Sequence, residues 1–226
     1  MVYQIIRSKW GIFIEALVLT VLVFNTGLFV GYLIESSRTN DIASTYKSYE
    51  IESIDLRLQN YYFQTMDNQS CAVAIEENFI FADDLYNKGL ELERYEEANQ
   101  ITGDLLIEKK RYVLLKTQLW LNSIELKKKC NKPFDTVVYF YSGDPGNSLT
   151  VAQQKSISNV LKTVKEDKGN SIVLLPIAGD LRLRSVDTQM RAYNVTSLPA
   201  ILINEKEVLY GFHDVNEILN LVNRSS

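Results

Sequence analysis

This chain is poor in the residues that carry most enzyme chemistry. Its 226 residues contain one histidine, His213, and two cysteines, Cys71 and Cys130. A protein zinc or iron site needs three or four His, Cys or carboxylate ligands at close spacing, so no transition-metal site and no cofactor is expected. A histidine-based triad would have to use His213. With only four prolines, long stretches of chain are free to be helical. The net charge is -4 with pI near 5.2, and no Lys/Arg cluster is interleaved with aromatics, which gives no case for nucleic acid. Internal repeats and long low-complexity tracts are also missing.

One long apolar run stands out. Residues 12–34 are apolar except for Glu15, Thr20, Asn25 and Thr26. At ~1.5 Å per residue the run reaches roughly 35 Å, enough for a ~30 Å hydrocarbon core. Trp10 and Tyr32 lie near its ends, where aromatic rings favour the bilayer interface. A cleaved signal peptide would have a shorter core and a small-x-small site after it, and Gly31-Tyr32-Leu33-Ile34-Glu35 offers none. The expectation is a single-pass anchor in a cell membrane, with the N-terminus cytoplasmic and the bulk of the chain outside. The basic residues on the two sides differ too little to fix this orientation; the cysteines below weigh more.

The span carries two possible helix contacts. Gly11, Glu15, Val18, Leu22, Asn25, Phe29 and Tyr32 form a 4-3 stripe, and ionisable or amide groups on such a stripe usually face protein rather than lipid. Gly27 and Gly31 make a small-xxx-small pair on nearly the opposite face. Either this helix packs between neighbours in a membrane complex, or Glu15 snorkels to the interface and the glycine pair is chance.

Residues 36 to about 129 have no proline and show heptad-like apolar spacing, a coiled-coil texture. Turn clusters at 67–70 and 99–103 divide them into helices over about 37–66, 71–99 and 103–129. If the last two fold back near residue 101, Cys71 and Cys130 sit at the same end of the hairpin. A disulfide there would stabilise by about 4 kcal/mol in the chain-entropy model and would place this part of the chain outside the cytosol. The competing reading is two unrelated buried thiols.

From Thr136 the texture changes. Thr136–Tyr141 is β-branched and aromatic, and Leu149–Lys165 has helical period. Strands are predicted at 171–176, 200–203 and 208–212, with helices at 185–193 and 214–222. The order βαβαββα gives crossover helices between the early strands and a closing hairpin. Three segments follow: 1–35, N-terminal segment and transmembrane helix; 36–131, helical stalk or hairpin; 132–226, an α/β domain.

Tyr193-Asn194-Val195-Thr196-Ser197-Leu198-Pro199-Ala200-Ile201 resembles the Y-x-V-x-x-x-P-x pattern at the start of the third core strand in the thioredoxin superfamily. The resemblance covers about residues 134–224. It implies a thioredoxin-like domain with Pro199 as the cis-proline facing the active-site loop. It also places Pro145-Gly146-Asn147-Ser148 where the family has C-x-x-C, so both thiols are absent. Dithiol exchange needs a thiolate at a helix N-terminus, which neither Pro145 nor Ser148 supplies. Asn147 or Ser148 reads as a helix N-cap and His213 as a surface residue. What outlives the lost thiols is strand addition of an extended peptide at the cis-proline edge: Ser197, Leu198 and Pro199, with Tyr141, Asp144, Pro145 and Ser148 beside it. A plain rigid spacer is the other reading of this frame.

The functional expectation is a membrane-anchored, redox-inactive accessory or interaction subunit of a membrane or cell-surface complex rather than an enzyme. Its partners would be the bilayer, other membrane subunits and an extended peptide. The alternative is a thiol–disulfide oxidoreductase or tethered chaperone using Cys71 and Cys130 or the cis-proline edge. Asn68, Asn194 and Asn223 each begin an N-x-S/T triplet, a number that chance alone supplies.

Overall fold

The computed structural model describes residues 9–65, 70–97, 103–131, 134–144 and 146–225; the side chains of 9, 33–49, 91, 93–97, 103–105 and 225 lie outside that description. The chain divides into two compact units, residues 1–51 and 52–226.

In the first unit the described chain is helical. Helix α1 runs Lys9–Thr65 without interruption, so no break separates the apolar run from the helix expected after it. Its segment Trp10–Tyr32 is long and apolar enough to cross a membrane, and lies near the N-terminus, where a signal sequence would also lie. Most of its polar side chains are satisfied by their own helix. Thr20 Oγ1 donates to Ala16 O at 2.9 Å, Asn25 Nδ2 to Val21 O at 2.7 Å, and Thr26 Oγ1 to Val23 O at 2.8 Å. This backbone bonding lowers the cost of these groups in lipid without a partner helix. Glu15, Asn25, Gly27 and Gly31 all lie on the helix surface. A Cβ at Gly27 or Gly31 would meet no atom within 4 Å.

The second unit is built on a four-stranded mixed sheet. β1 (Asp135–Tyr141) pairs parallel with β2 (Ile172–Ala178) and antiparallel with β3 (Ala200–Ile203), which pairs antiparallel with β4 (Glu207–Tyr210). The order is β2-β1-β3-β4. α4 (Ser148–Lys168) crosses from β1 to β2, α5 (Arg184–Ala192) lies between β2 and β3, and α6 (Val215–Ser225) closes the chain.

Strand alternation sends side chains to two cores. Val137 and Tyr139 of β1 join Ile157, Leu161 and Val164 of α4, Ile201 and Ile203 of β3, and Ile218 and Val222 of α6. On the other face the chain uses a helix from the preceding segment. α2 (Cys71–Glu97) and α3 (Gly103–Lys129) form the hairpin, and α3 lies antiparallel to β1. Lys127 meets Thr136, Trp120 packs edge-on against Phe140 at 5.9 Å, and Lys109 meets Gly143. Trp120 is fully buried and also touches Tyr193, with ring centroids 5.4 Å apart. The sheet therefore buries its second face with residues that sequence order assigns to the hairpin, and residues 52–226 cohere as one body.

Between α2 and α3, Asn78 and Ser123 hydrogen-bond within the interface, and Asn122 reaches α1 at Asn60 and at the Leu56 carbonyl. Gly89 lets the two helices close: a Cβ there would fall 2.0 Å from the Tyr112 hydroxyl. Cys71 and Cys130 form a disulfide across the hairpin's open end, with Cα atoms 5.7 Å apart.

The start of β1 is tied by a buried polar network. Lys127 Nζ donates to Thr136 Oγ1, Asn204 Oδ1 and Glu205 Oε2, each at 2.8 Å, while Glu205 Oε1 accepts from Trp120 Nε1 and Thr136 Oγ1. Asn204 and Glu205 both have positive φ, 49° and 56°, in the β3–β4 turn. Glu is a poor residue for that conformation. The three bonds its carboxylate accepts explain why it is there.

Candidate functional site

The other end of the sheet brings together the residues that the sequence resemblance singled out. Tyr141 ends β1 opposite Ala178, Phe140 faces Ala200, and Ala200 faces Tyr210. The residues that follow β1 and β2, those that precede β3 and those that follow β4 thus gather at one edge. The Leu198–Pro199 peptide is cis, as the resemblance implied.

The loop after β1 is closed on itself. Gln154 of α4 grips Ser142 like a strand partner: its Oε1 accepts from Ser142 N at 2.7 Å and its Nε2 donates to Ser142 O at 3.1 Å. Asp180, just after β2, accepts from Ser142 Oγ at 2.5 Å and Gly143 N at 2.7 Å, with Asp144 N at 3.4 Å. Lys109 Nζ of α3 donates to Gly143 O at 3.0 Å. Partial burial opposes the charge of Asp180, but the Ser142 hydroxyl and the Gly143 and Asp144 amides outweigh it and hold the carboxyl below its ordinary range. A loop whose amides already serve a carboxylate has little left for a substrate anion. Asp180, Gln154 and Lys109 were missed in the sequence, because none sits in a motif and each comes from a different element.

The residues singled out from the sequence divide as follows. Asp144 is exposed in the clasped loop, and Pro145 lies outside the described residues. Ser148 is the first, exposed residue of α4, but the cap is Asn147, whose Oδ1 accepts from Thr150 N at 2.9 Å. Tyr141 is half-buried and stacks on Tyr139, with centroids 5.9 Å apart; burial pushes the Tyr139 hydroxyl's pKa upward. His213 stands before α6, with Nε2 3.2 Å from Tyr210 O and Nδ1 3.4 Å from Glu217. Ser197 is exposed and Leu198 half-buried. Gly179 is small so that Leu198 can lie over it: a Cβ there would come within 3.0 Å of the Leu198 and Met190 side chains.

The segment before the cis-proline is held from one side. Tyr210 Oη accepts from Thr196 N at 3.0 Å and donates to Asn194 O at 3.1 Å. Among the described residues, the backbone of Ser197 and Leu198 makes no hydrogen bond.

The β2 edge of the sheet is capped. On β2, Pro176 has no N–H, its carbonyl accepts from Lys116 Nζ at 2.9 Å, and the Ile172 carbonyl accepts from Lys165 Nζ at 2.9 Å. Proline and lysine on an edge are the usual defences against unwanted strand pairing.

The disulfide is at the far end. Cys130 precedes β1, whose seven residues span roughly 20 Å before reaching the cis-proline edge. No group of three or more His, Cys, Asp or Glu side chains suited to a metal ion occurs among the described residues.

Comparison with known proteins assigns no family. No protein-family model matches the chain, and no curated protein does. Solved structures that resemble it are thioredoxin-like. They include a chloroplastic thioredoxin z, at 17% identity over 42% of this chain and 80% of that one, TM-score 0.33. Thioredoxin-2 of a malaria parasite, described as a component of its protein secretion machinery, matches at 23% over 41% and 84%, TM-score 0.31. A further malarial protein matches at 22% over 41% and 97%, TM-score 0.30. Likeness at this level concerns the fold alone.

Proposed function

We propose that this protein is a membrane-anchored, redox-inactive thioredoxin-like interaction subunit that docks an extended peptide segment of a partner by strand addition beside Pro199. One observation carries the reading: the backbone of Ser197 and Leu198 is unbonded at the same sheet end where the neighbouring loop is closed by Asp180 and lacks thiols. The capped β2 edge adds to it, since strand addition is discouraged there. Glu15, Asn25, Gly27 and Gly31 would supply contacts to other membrane subunits within the span. The N-terminus would be cytoplasmic and the disulfide-bearing unit extracytoplasmic.

The test is co-purification from membranes in mild detergent, comparing wild type with Leu198→Arg. The reading expects partners to follow the wild type and to be depleted at least tenfold by the variant, with the Cys71–Cys130 bond intact. Equal partner recovery from both would sink it. The oxidoreductase alternative makes a separate prediction: Cys71→Ala/Cys130→Ala would abolish thiol exchange with reduced, unfolded ribonuclease. An exchange rate no higher than that of a protein lacking free thiols removes that alternative.

A further inference from the structure

Among the described residues, five other than glycine have positive φ: Asn131, Arg182, Asn194, Asn204 and Glu205. Asparagine tolerates this conformation better than most side chains, and Glu205 is held by Lys127, Trp120 and Thr136. Arg182, at φ 57°, is of neither kind. It is exposed, and its side chain has no hydrogen-bond or ion-pair partner among the described residues. Arg184 is exposed and unpaired in the same way, while Leu181 and Leu183 between them are half-buried. The acids of the adjoining segments do not serve these arginines. Asp180 is committed to Ser142, Gly143 and Asp144, and neither Asp144 nor Asp187 pairs with an arginine. An arginine held in a sparsely populated backbone conformation costs stability, and such residues cluster at ligand-binding segments.

The arginine pair stands beside the peptide edge. A Cβ on Gly179 would come within 3.0 Å of Leu198, and one on Gly143 within 3.1 Å of Leu181. Residues 179–181 therefore lie between Leu198 and the loop after β1. Arg182 is three residues from Gly179, at most about 11 Å along the chain. An extended arginine and a facing side chain of a docked residue together bridge that distance. Lys109 adds a third positive charge nearby, at Gly143 O.

We infer that the segment docked beside Pro199 is acidic, with Asp or Glu at alternate positions whose carboxylates Arg182 and Arg184 receive. This deepens the reading of the cis-proline edge as a docking edge and rests on it. Two observations select that occupant. First, the charge is complementary: in a chain of net charge -4, this end presents two guanidinium forks with no acid of their own, and a fork binds a carboxylate in two parallel hydrogen bonds. Second, the spacing fits an extended chain. Arg182 and Arg184 are two residues apart, at most about 7 Å between Cα atoms, and same-face side chains of an extended peptide repeat at about that distance. Backbone pairing at Ser197 and Leu198 would hold the segment, and the arginines would choose which segment is held.

Fluorescence anisotropy of the full chain in mild detergent tests this with labelled, end-blocked octapeptides in which Val alternates with Glu, with Gln or with Lys. At low salt the Val-Glu peptide is expected to bind about fivefold tighter than Val-Gln, the margin that two exposed ion pairs supply. That margin should vanish in about 0.5 M salt and in the Arg182→Asn/Arg184→Gln variant. Asparagine suits the backbone at 182, so Arg182→Asn alone should weaken Val-Glu binding while melting no lower than wild type. A lower melting temperature would mean that Arg182 serves folding, and would overturn the inference. Equal affinity for Val-Glu and Val-Gln, or a preference for Val-Lys, would also overturn it and would leave the docking edge standing. Displacement of Val-Glu by glycerol phosphate at the peptide's own concentration would mean that an anionic lipid surface is the ligand, and would sink it too. A Val-Glu peptide with alternate amides N-methylated keeps its charges and cannot pair as a strand. Undiminished binding of that peptide would remove strand addition beside Pro199, the reading beneath this one, while the preference for Val-Glu over Val-Gln still reported on the arginines.

Discussion

The two ends of the central sheet are built on opposite plans. At the start of β1 a lysine, a glutamate, a threonine and an asparagine bond one another in a nearly dry space, Phe134 packs edge-on against Phe79 at 5.2 Å, and a disulfide closes the adjoining hairpin. At the end of β1 the polar contacts are exposed or only partly buried, a cis peptide bond turns the chain, and among the described residues Ser197 and Leu198 keep their backbone unbonded. The first end holds the body together. The second uses its bonds to hold the loop after β1 and, through Tyr210, the segment before Pro199.

The contrast can be broken most forcefully from the closed end. Trp120→Ala should destabilise the second unit by about 3–5 kcal/mol, since it removes a buried ring shared by α3, β1 and Tyr193; chemical denaturation followed by far-UV dichroism measures it. Lys127→Ala should cost about 3 kcal/mol by leaving Glu205 short of its cation in a mostly buried position, and Lys127→Met with Glu205→Gln should recover more than half. Cys71→Ala with Cys130→Ala should lower stability by about 4 kcal/mol in the chain-entropy model, given their sequence separation of 59.

Smaller effects are expected at the open end. Asp180→Asn should leave global stability within about 1 kcal/mol and speed amide exchange at Gly143 and Asp144 selectively. The sign of its pH dependence follows from a folded pKa held below the unfolded value. The contribution is present above the ordinary aspartate range near ~3.9 and is lost as pH falls through the lower folded value. Protection of these amides relative to their intrinsic exchange should therefore be lost in wild type as pH falls below the ordinary aspartate range, and stay unchanged in the variant. If Lys127→Ala loosened the loop as much as Asp180→Asn, the two ends would be one cooperative unit and the contrast would fail.

Much of this frame is legible in the chain itself. Val137, Tyr139, Ile172 and Ile201 lie in β-branched runs that can only be buried strands, and the 3.6-residue period of 149–165 marks α4. The expected βαβαββα order and the cis proline at 199 are both present. The missing thiols, the scarcity of histidine and the apolar run at 10–32 are read directly off the residues. Such features are local: they depend on residue type and on spacing along one element.

Only the tertiary structure decided what lies across elements. That Lys109, Gln154 and Asp180 close one loop could not be read from three separate helical and turn segments. Glu205 is a poor fit to a tight turn by local preference, and its place there is explained by Lys127 and Trp120, which arrive from 78 and 85 residues away. The same holds for Trp120, an ordinary apolar position of a hairpin helix that turns out to roof the second face of the sheet. Local propensity fixes which segments are helix and strand; which distant side chains share a space is set by how those segments pack, because burial and hydrogen bonding act between surfaces and not along the chain.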